Sequence, residues 1–141
     1  MLKKANLLLL ICSILLIAVV QPVTAAESKT VKIKVTLTSA ELVENDHVGN
    51  EWYTAAYVNG KEVQLDKALT LSLKSTDSLT LKAYAEEQDK IPDKGTSSTS
   101  VKASSITKTV TKSIKVTVVE NRGRYSGNAA EWKFSFKIQK A

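Results

Sequence analysis

The sequence predicts an all-β protein: a single antiparallel eight-stranded β-sandwich preceded by an N-terminal signal segment. Three observations carry that expectation. Apolar and polar residues alternate in run after run, the period of two expected of strands with one wet face. Clusters of Asn, Asp, Gly, Ser and Pro separate the runs at short intervals, as turns between strands require. No segment carries the 3.6-residue apolar period of a helix together with capping residues.

The chain of 141 residues opens on a targeting signal. Lys3 and Lys4 form a basic start, and Leu7 to Val20 is an apolar run of 14 residues. Gln21-Pro22 breaks the run, and Val23-Thr24-Ala25 or Thr24-Ala25-Ala26 offers small residues for cleavage. A membrane-spanning helix needs about 20 apolar residues, so the segment reads as removed rather than retained. Cys12 lies inside the apolar run, and Ile11 before it is larger than lipoprotein processing accepts. Residues 1–26 are thus a signal peptide and 27–141 one secreted, extracellular domain. The sole cysteine is lost with the signal, which excludes disulfides, thiol chemistry and Cys-rich zinc sites.

Within the domain, Val31, Ile33, Val35 and Leu37 alternate with Lys32, Lys34, Thr36 and Thr38, and the run continues irregularly to Val43. Trp52–Val58 is the second strand, and it ends at Asn59-Gly60, a strong two-residue hairpin signal. Lys61–Leu65 returns from that turn, and Leu69, Leu71 and Leu73 form the fourth strand after Asp66-Lys67. Ser75–Ser78 reads as a turn, and Leu79, Leu81, Ala83 and Ala85 face the core from the fifth strand. A polar connection from Glu86 to about Ser100 contains the turn sequence Pro92-Asp93-Lys94-Gly95, before a weak sixth strand over Val101–Ile106. Val110–Val119 and Trp132–Ile138 close the set around the segment Glu120–Glu131.

Strand parity converts this order into a site. Antiparallel alternation puts the Asn59-Gly60, Ser75 and Thr107 turns at one end. It directs the Glu44–Trp52 loop, the Asp66 link, the Glu86 loop and the Glu120 loop to the other. Long loops on a rigid scaffold are where binding residues collect. Nine of the 14 acidic residues lie in or beside the three long loops: Glu44, Asp46, Glu51, Glu86, Glu87, Asp89, Asp93, Glu120 and Glu131. Carboxylates held together repel unless a cation compensates. Outside a cell calcium suits such a set, since it takes oxygen ligands in irregular geometry and needs neither His nor Cys. Asp46, Asp89 and Asp93 are the preferred calcium ligands, because short side chains on loops reach a shared ion; Glu44, Glu87 and Glu120 come second. Asp, Asn and Gly also populate loops simply because they form turns.

The formal charge of +6 is spread over alternate strand positions, as on solvated faces, without a basic cluster interleaved with aromatics. Nucleic acid is therefore not an expected partner. The candidates are a cell-wall polymer, a membrane surface or an extracellular protein. Tyr125 with Arg122 and Arg124 forms the binding group on the last loop, where an aromatic ring could stack on sugar and two cations could meet an anionic partner. Trp52 and Trp132, each directly after a loop, read as capping the core, Trp132 above all, while a metal-free binding module would use Trp52 beside Tyr125 and the arginines. His47 has no serine partner, and the domain offers little cleft for paired carboxylates to act on a sugar, so no enzyme is expected.

Eight strands with Glu44-Asn45-Asp46, Glu87 to Asp89 with Asp93, and Glu120-Asn121 at one end resemble C2-type domains, a likeness that implies loops binding calcium and often membranes or partners. The fold expected is C2-like or immunoglobulin-like. The phrases Asn45 to Trp52 and Pro92 to Gly95 are similar to small secreted β-domains of Gram-positive bacteria. A C2 domain usually carries paired Asp in its later loop, whereas here Glu120 is followed by Arg122 and Arg124; one ion at most is implied. The sequence-based expectation is a secreted, cell-surface, non-enzymatic binding module holding one calcium ion. The alternatives are a metal-free module for cell-wall polymer or carbohydrate, and a small exported structural protein.

Overall fold

The computed structural model describes residue 22 and residues 27–141. The signal segment expected over 1–26 lies, Pro22 apart, outside the described residues. The domain has eight strands: β1 (Thr30–Asn45), β2 (Trp52–Val58), β3 (Lys61–Val63), β4 (Ala68–Lys74), β5 (Ser78–Glu87), β6 (Asp93–Lys102), β7 (Val110–Val119) and β8 (Ala129–Lys140). They form two antiparallel sheets of four strands, ordered β4-β1-β8-β7 and β3-β2-β5-β6. This is the predicted sandwich. β1 lies beside β4 in one sheet while β2 lies beside β5 in the other, so the chain laces the two sheets together.

The alternation seen in the sequence directs the core. Ile33 and Val35 from β1, Ile114, Val116 and Val118 from β7, and Phe134, Phe136 and Ile138 from β8 meet Val58, Leu79 and Leu81 of the opposite sheet. Each such side chain contributes roughly 1.5–3 kcal/mol on burial, which is how a domain without disulfides holds together. β1 is irregular where the alternation fails: its register against β8 shifts between Leu37 and Ser39 and again between Leu42 and Glu44. Thr38 and Val43 are thus bulged residues that bend the long strand.

Two elements differ from expectation. β6 begins at Asp93 and pairs with β5 along its whole length, down to Ser78 opposite Lys102. Most of the residues expected to form a loop are therefore strand, with only residues 88–92 left as the turn, and Ala103–Ser105 is a single 3-10 turn with Ala103 and Ile106 buried. The apolar signal was absent because the half-buried phase of β6 is Gly95, Ser97, Thr99 and Val101, mostly small residues. Gly95 has a specific reason to be glycine. A Cβ there would stand 2.2 Å from the backbone oxygen of Thr117 in β7, so only glycine lets the two sheets close together along this flank.

The second difference concerns Asp66. Its link heads toward the long-loop end but stops halfway up β1, where Asp66 N donates to Leu37 O at 2.9 Å and Leu65 bridges Leu37. Asp66 itself has φ of 59°. Because β4 covers only Thr30–Thr36 of β1, the upper half of β1 has no regular strand partner on that side among the described residues.

Candidate functional site

The three long connections meet at one end of the sandwich. Gln88 N donates to Glu51 O at 2.7 Å, which joins the β5–β6 turn to the β1–β2 loop. Asp46 N donates to Ala129 O at 3.0 Å, which ties that loop to the start of β8. Asn121 Nδ2 donates to Asp93 Oδ1 at 2.7 Å, joining the β7–β8 loop to β6. The short turns gather at the opposite end, where Ala103 N donates to Asp77 O at 2.9 Å and Asn59 N to Thr80 O at 2.9 Å.

The β1–β2 loop is braced from within. Asn45 Oδ1 accepts from Val48 N at 3.0 Å while its Nδ2 donates to Gly49 O at 2.7 Å. Val48 is buried as a plug in the core. Trp52 Nε1 also donates to Gly49 O, at 3.2 Å. Under the loops Trp52 meets Trp132 edge-on at 5.6 Å, and Trp132 in turn meets Phe134 at 6.4 Å. Both tryptophans thus support the loop end from below, and the buried Trp132 N–H has no acceptor among the described residues.

The six acidic candidates divide into separate neighbourhoods. Glu87 and Asp93 are buried and lie directly opposite each other on β5 and β6. Burial pushes the Glu87 carboxyl above its ordinary value, and the charges of Asp89, Glu120 and Asp93 push the same way, against a backbone hydrogen bond from Asp89. Asp89 Oδ1 accepts from Ile91 N at 2.7 Å and Glu120 Oε1 from Arg122 N at 3.2 Å, so each also closes its own turn. Asp46 stands apart from this group, with Oδ1 2.9 Å from Nδ1 of His47. Glu44 lies opposite Glu131, whose carboxylate holds Lys115 Nζ at 2.7 Å. Among the described residues no three His, Asp or Glu side chains form a metal-ligating group.

A second neighbourhood is aromatic. His47, in a left-handed conformation at φ 55°, stacks on Tyr125 with ring centroids 5.0 Å apart and planes 15° from parallel. The Arg124 guanidinium lies 5.8 Å from the Tyr125 ring, and Arg122 is exposed. Asn45, His47, Gly49, Asn50 and Tyr125 line an open cleft of about 360 Å³ between the two loops. Of the binding group expected from the sequence, Tyr125 lines this cleft and Arg124 lies beside its ring. His47, which from the sequence reads as a turn residue or a hydrogen-bonding partner for loop backbone, lines the same cleft, and nothing in the chain marks that Tyr125 folds onto it.

One more group escaped the sequence. Tyr53, Tyr57 and Tyr84 occupy the outward phase of β2 and β5, with Tyr53 and Tyr84 edge-on at 6.1 Å and Lys82 Nζ 5.8 Å from the Tyr57 ring. Tyr84 donates to Glu86, and this bond, with partial burial, pushes its phenol up to about 12. Tyrosines on the wet phase of an alternating strand were the available signal. No protein-family model matches the chain, and neither does any curated protein.

Proposed function

We propose that the chain is a secreted, non-enzymatic binding module whose loop end takes a cell-wall polymer or carbohydrate. The observation that carries this reading is the His47–Tyr125 stack along the open cleft. It supplies a flat aromatic surface on which a sugar ring can pack, with the amides of Asn45 and Asn50 beside it to exchange hydrogen bonds with hydroxyls. Much of the ordering cost is already met, because internal hydrogen bonds and the Val48 plug hold the β1–β2 loop in place. Pull-down on purified cell wall tests it. Retention that survives chelator and falls sharply in Tyr125→Ala is the expected outcome; retention unchanged in Tyr125→Ala overturns the reading.

One calcium ion at the same end is the second reading, and it keeps the proposed likeness to C2-type domains of Gram-positive secreted proteins. It is favoured by the charges of Asp89, Glu120 and Asp93 around buried Glu87, since a cation would relieve their repulsion. An ion that binds only the folded state adds about 2.7 kcal/mol at 100 times its dissociation constant. Thermal melts in millimolar calcium and in chelator then differ by several degrees, and superimposable curves remove this reading.

A further inference from the structure

The two flanks of the sandwich are built differently. On one, β6 and β7 approach so closely that Gly95 meets the Thr117 carbonyl. On the other, both edge strands stop short. β4 pairs with β1 only from Thr30 to Thr36, and β3 pairs with β2 only from Ala56 to Val58. Past the bridge at Leu65, neither Thr38–Glu44 of β1 nor Trp52–Ala55 of β2 has a strand on that side among the described residues. Between these bare edges opens a cavity of about 340 Å³, lined by residues that include Leu37, Ala40, Ala56, Val63, Leu65 and Phe134. Leu65 in the cavity lining is exposed, as are Leu42 and Val43 on the bare segment of β1. Unpaired strand backbone therefore coincides with a slot that has Leu37, Ala40, Val63 and Phe134 in its lining and Thr54, Glu62 and Gln64 beside them, which is the arrangement a missing strand would leave.

We infer that this flank receives an extended strand from another polypeptide, which adds to β1 beside Thr38–Glu44 and sends alternate apolar side chains into the slot. Main-chain hydrogen bonds supply affinity in such an addition, and the slot selects every second residue. Charge defines the other phase of the incoming strand. Glu41 and Glu44 lie on the bare segment of β1, opposite Lys133 and Glu131 of β8, and neither makes an ion pair among the described residues. The donated strand is accordingly one in which apolar residues alternate with Lys or Arg. A second copy of this chain fits poorly, because pairing β1 with β1 would bring Glu41 and Glu44 of both copies onto one shared sheet face, where like charges repel.

The test titrates the purified protein into fluorescein-labelled heptapeptides and follows anisotropy. One peptide alternates Lys and Val, one alternates Glu and Val, and a third is the Lys-Val peptide with its backbone amides N-methylated along one edge. The Lys-Val peptide should bind saturably, and both others at least about tenfold more weakly. The exposed double variant Glu41→Lys/Glu44→Lys should reverse the preference toward the Glu-Val peptide. Ala40→Phe, which fills the slot, should abolish binding of either. The double variant leaves the core untouched, so the inference stands or falls on it if Ala40→Phe does not fold. No saturable binding overturns the inference, as does equal binding of the N-methylated peptide or indifference to both variants. Sedimentation showing a dimer that Ala40→Phe dissolves would assign the flank to a second copy and overturn it too.

Discussion

Glu87 shows how a single residue carries both fold and chemistry. It ends β5 on the inward phase, where Leu79, Leu81, Ala83 and Ala85 precede it, so the alternation that builds the core also drives a carboxylate inside. Its folded value is raised above the ordinary 4.5, chiefly by burial. Between the two values the folded chain keeps a proton that the unfolded chain has released, so stability falls as pH rises through that window. The contribution is complete below the unfolded value and is lost as pH passes the folded one. Glu87→Gln should therefore flatten the dependence of the thermal midpoint on pH above 4.5, and at neutral pH the variant should melt no lower than the parent. A steeper profile in the variant would assign that pH dependence to other groups. The sequence offered Glu87 as one acid among nine and a second-choice calcium ligand, with no sign of its burial. Its burial depends on Gly49, whose Cβ, if it had one, would stand 2.2 Å from Glu87 Oε1.

At the scale of elements, local chemistry predicted the hairpins well and the edges badly. Asn59 and Gly60 take φ of 47° and 79°, both positive as a two-residue turn of this hand demands, and Asn59 Oδ1 adds an acceptor for Thr80 N at 2.7 Å. β6 was illegible because Ser and Thr suit a strand at the margin of the core without displaying an apolar period. The two kinds of glycine can be separated by mutation. Gly60→Ala meets no neighbouring atom, so its cost is the left-handed backbone alone, about 1–2 kcal/mol. Gly95→Ala must push β6 off β7, an overpacking cost of about 1–3 kcal/mol, and should also loosen that flank. Urea denaturation measures both, and amide exchange at Thr117 should rise only in Gly95→Ala.

On the whole-molecule scale the sandwich is closed along β6–β7 and open above β3 and β4. Local opening follows the density of packed contacts and paired backbone. Amides of Ser39–Glu44 not bonded to β8, and those of Trp52–Ala55 not bonded to β5, should exchange much faster than the amides joining β7 to β8. Uniform protection on both flanks, read residue by residue by hydrogen exchange, would contradict the open edge. The same asymmetry separates the two proposed contacts: the cleft at His47 and Tyr125 crowns the loop end, whereas the slot over Phe134 opens on the side.

By itself the sequence determined the all-β class, seven of the eight strands in outline, the Asn59-Gly60 turn, and the end at which the long loops gather. These follow from periodicity, turn chemistry and antiparallel parity, all of which act between near neighbours in the chain. Only the tertiary structure decided which loop residues touch. It buried Glu87 and Asp93 together while leaving Asp46 to His47 and Glu44 near Lys115, and it laid His47 on Tyr125 across 78 positions of sequence. It also decided that β1 outruns β4, because strand length is written locally but the partner that should match it is not. Contacts between loops and the completeness of an edge are long-range pairings, and no local period records them.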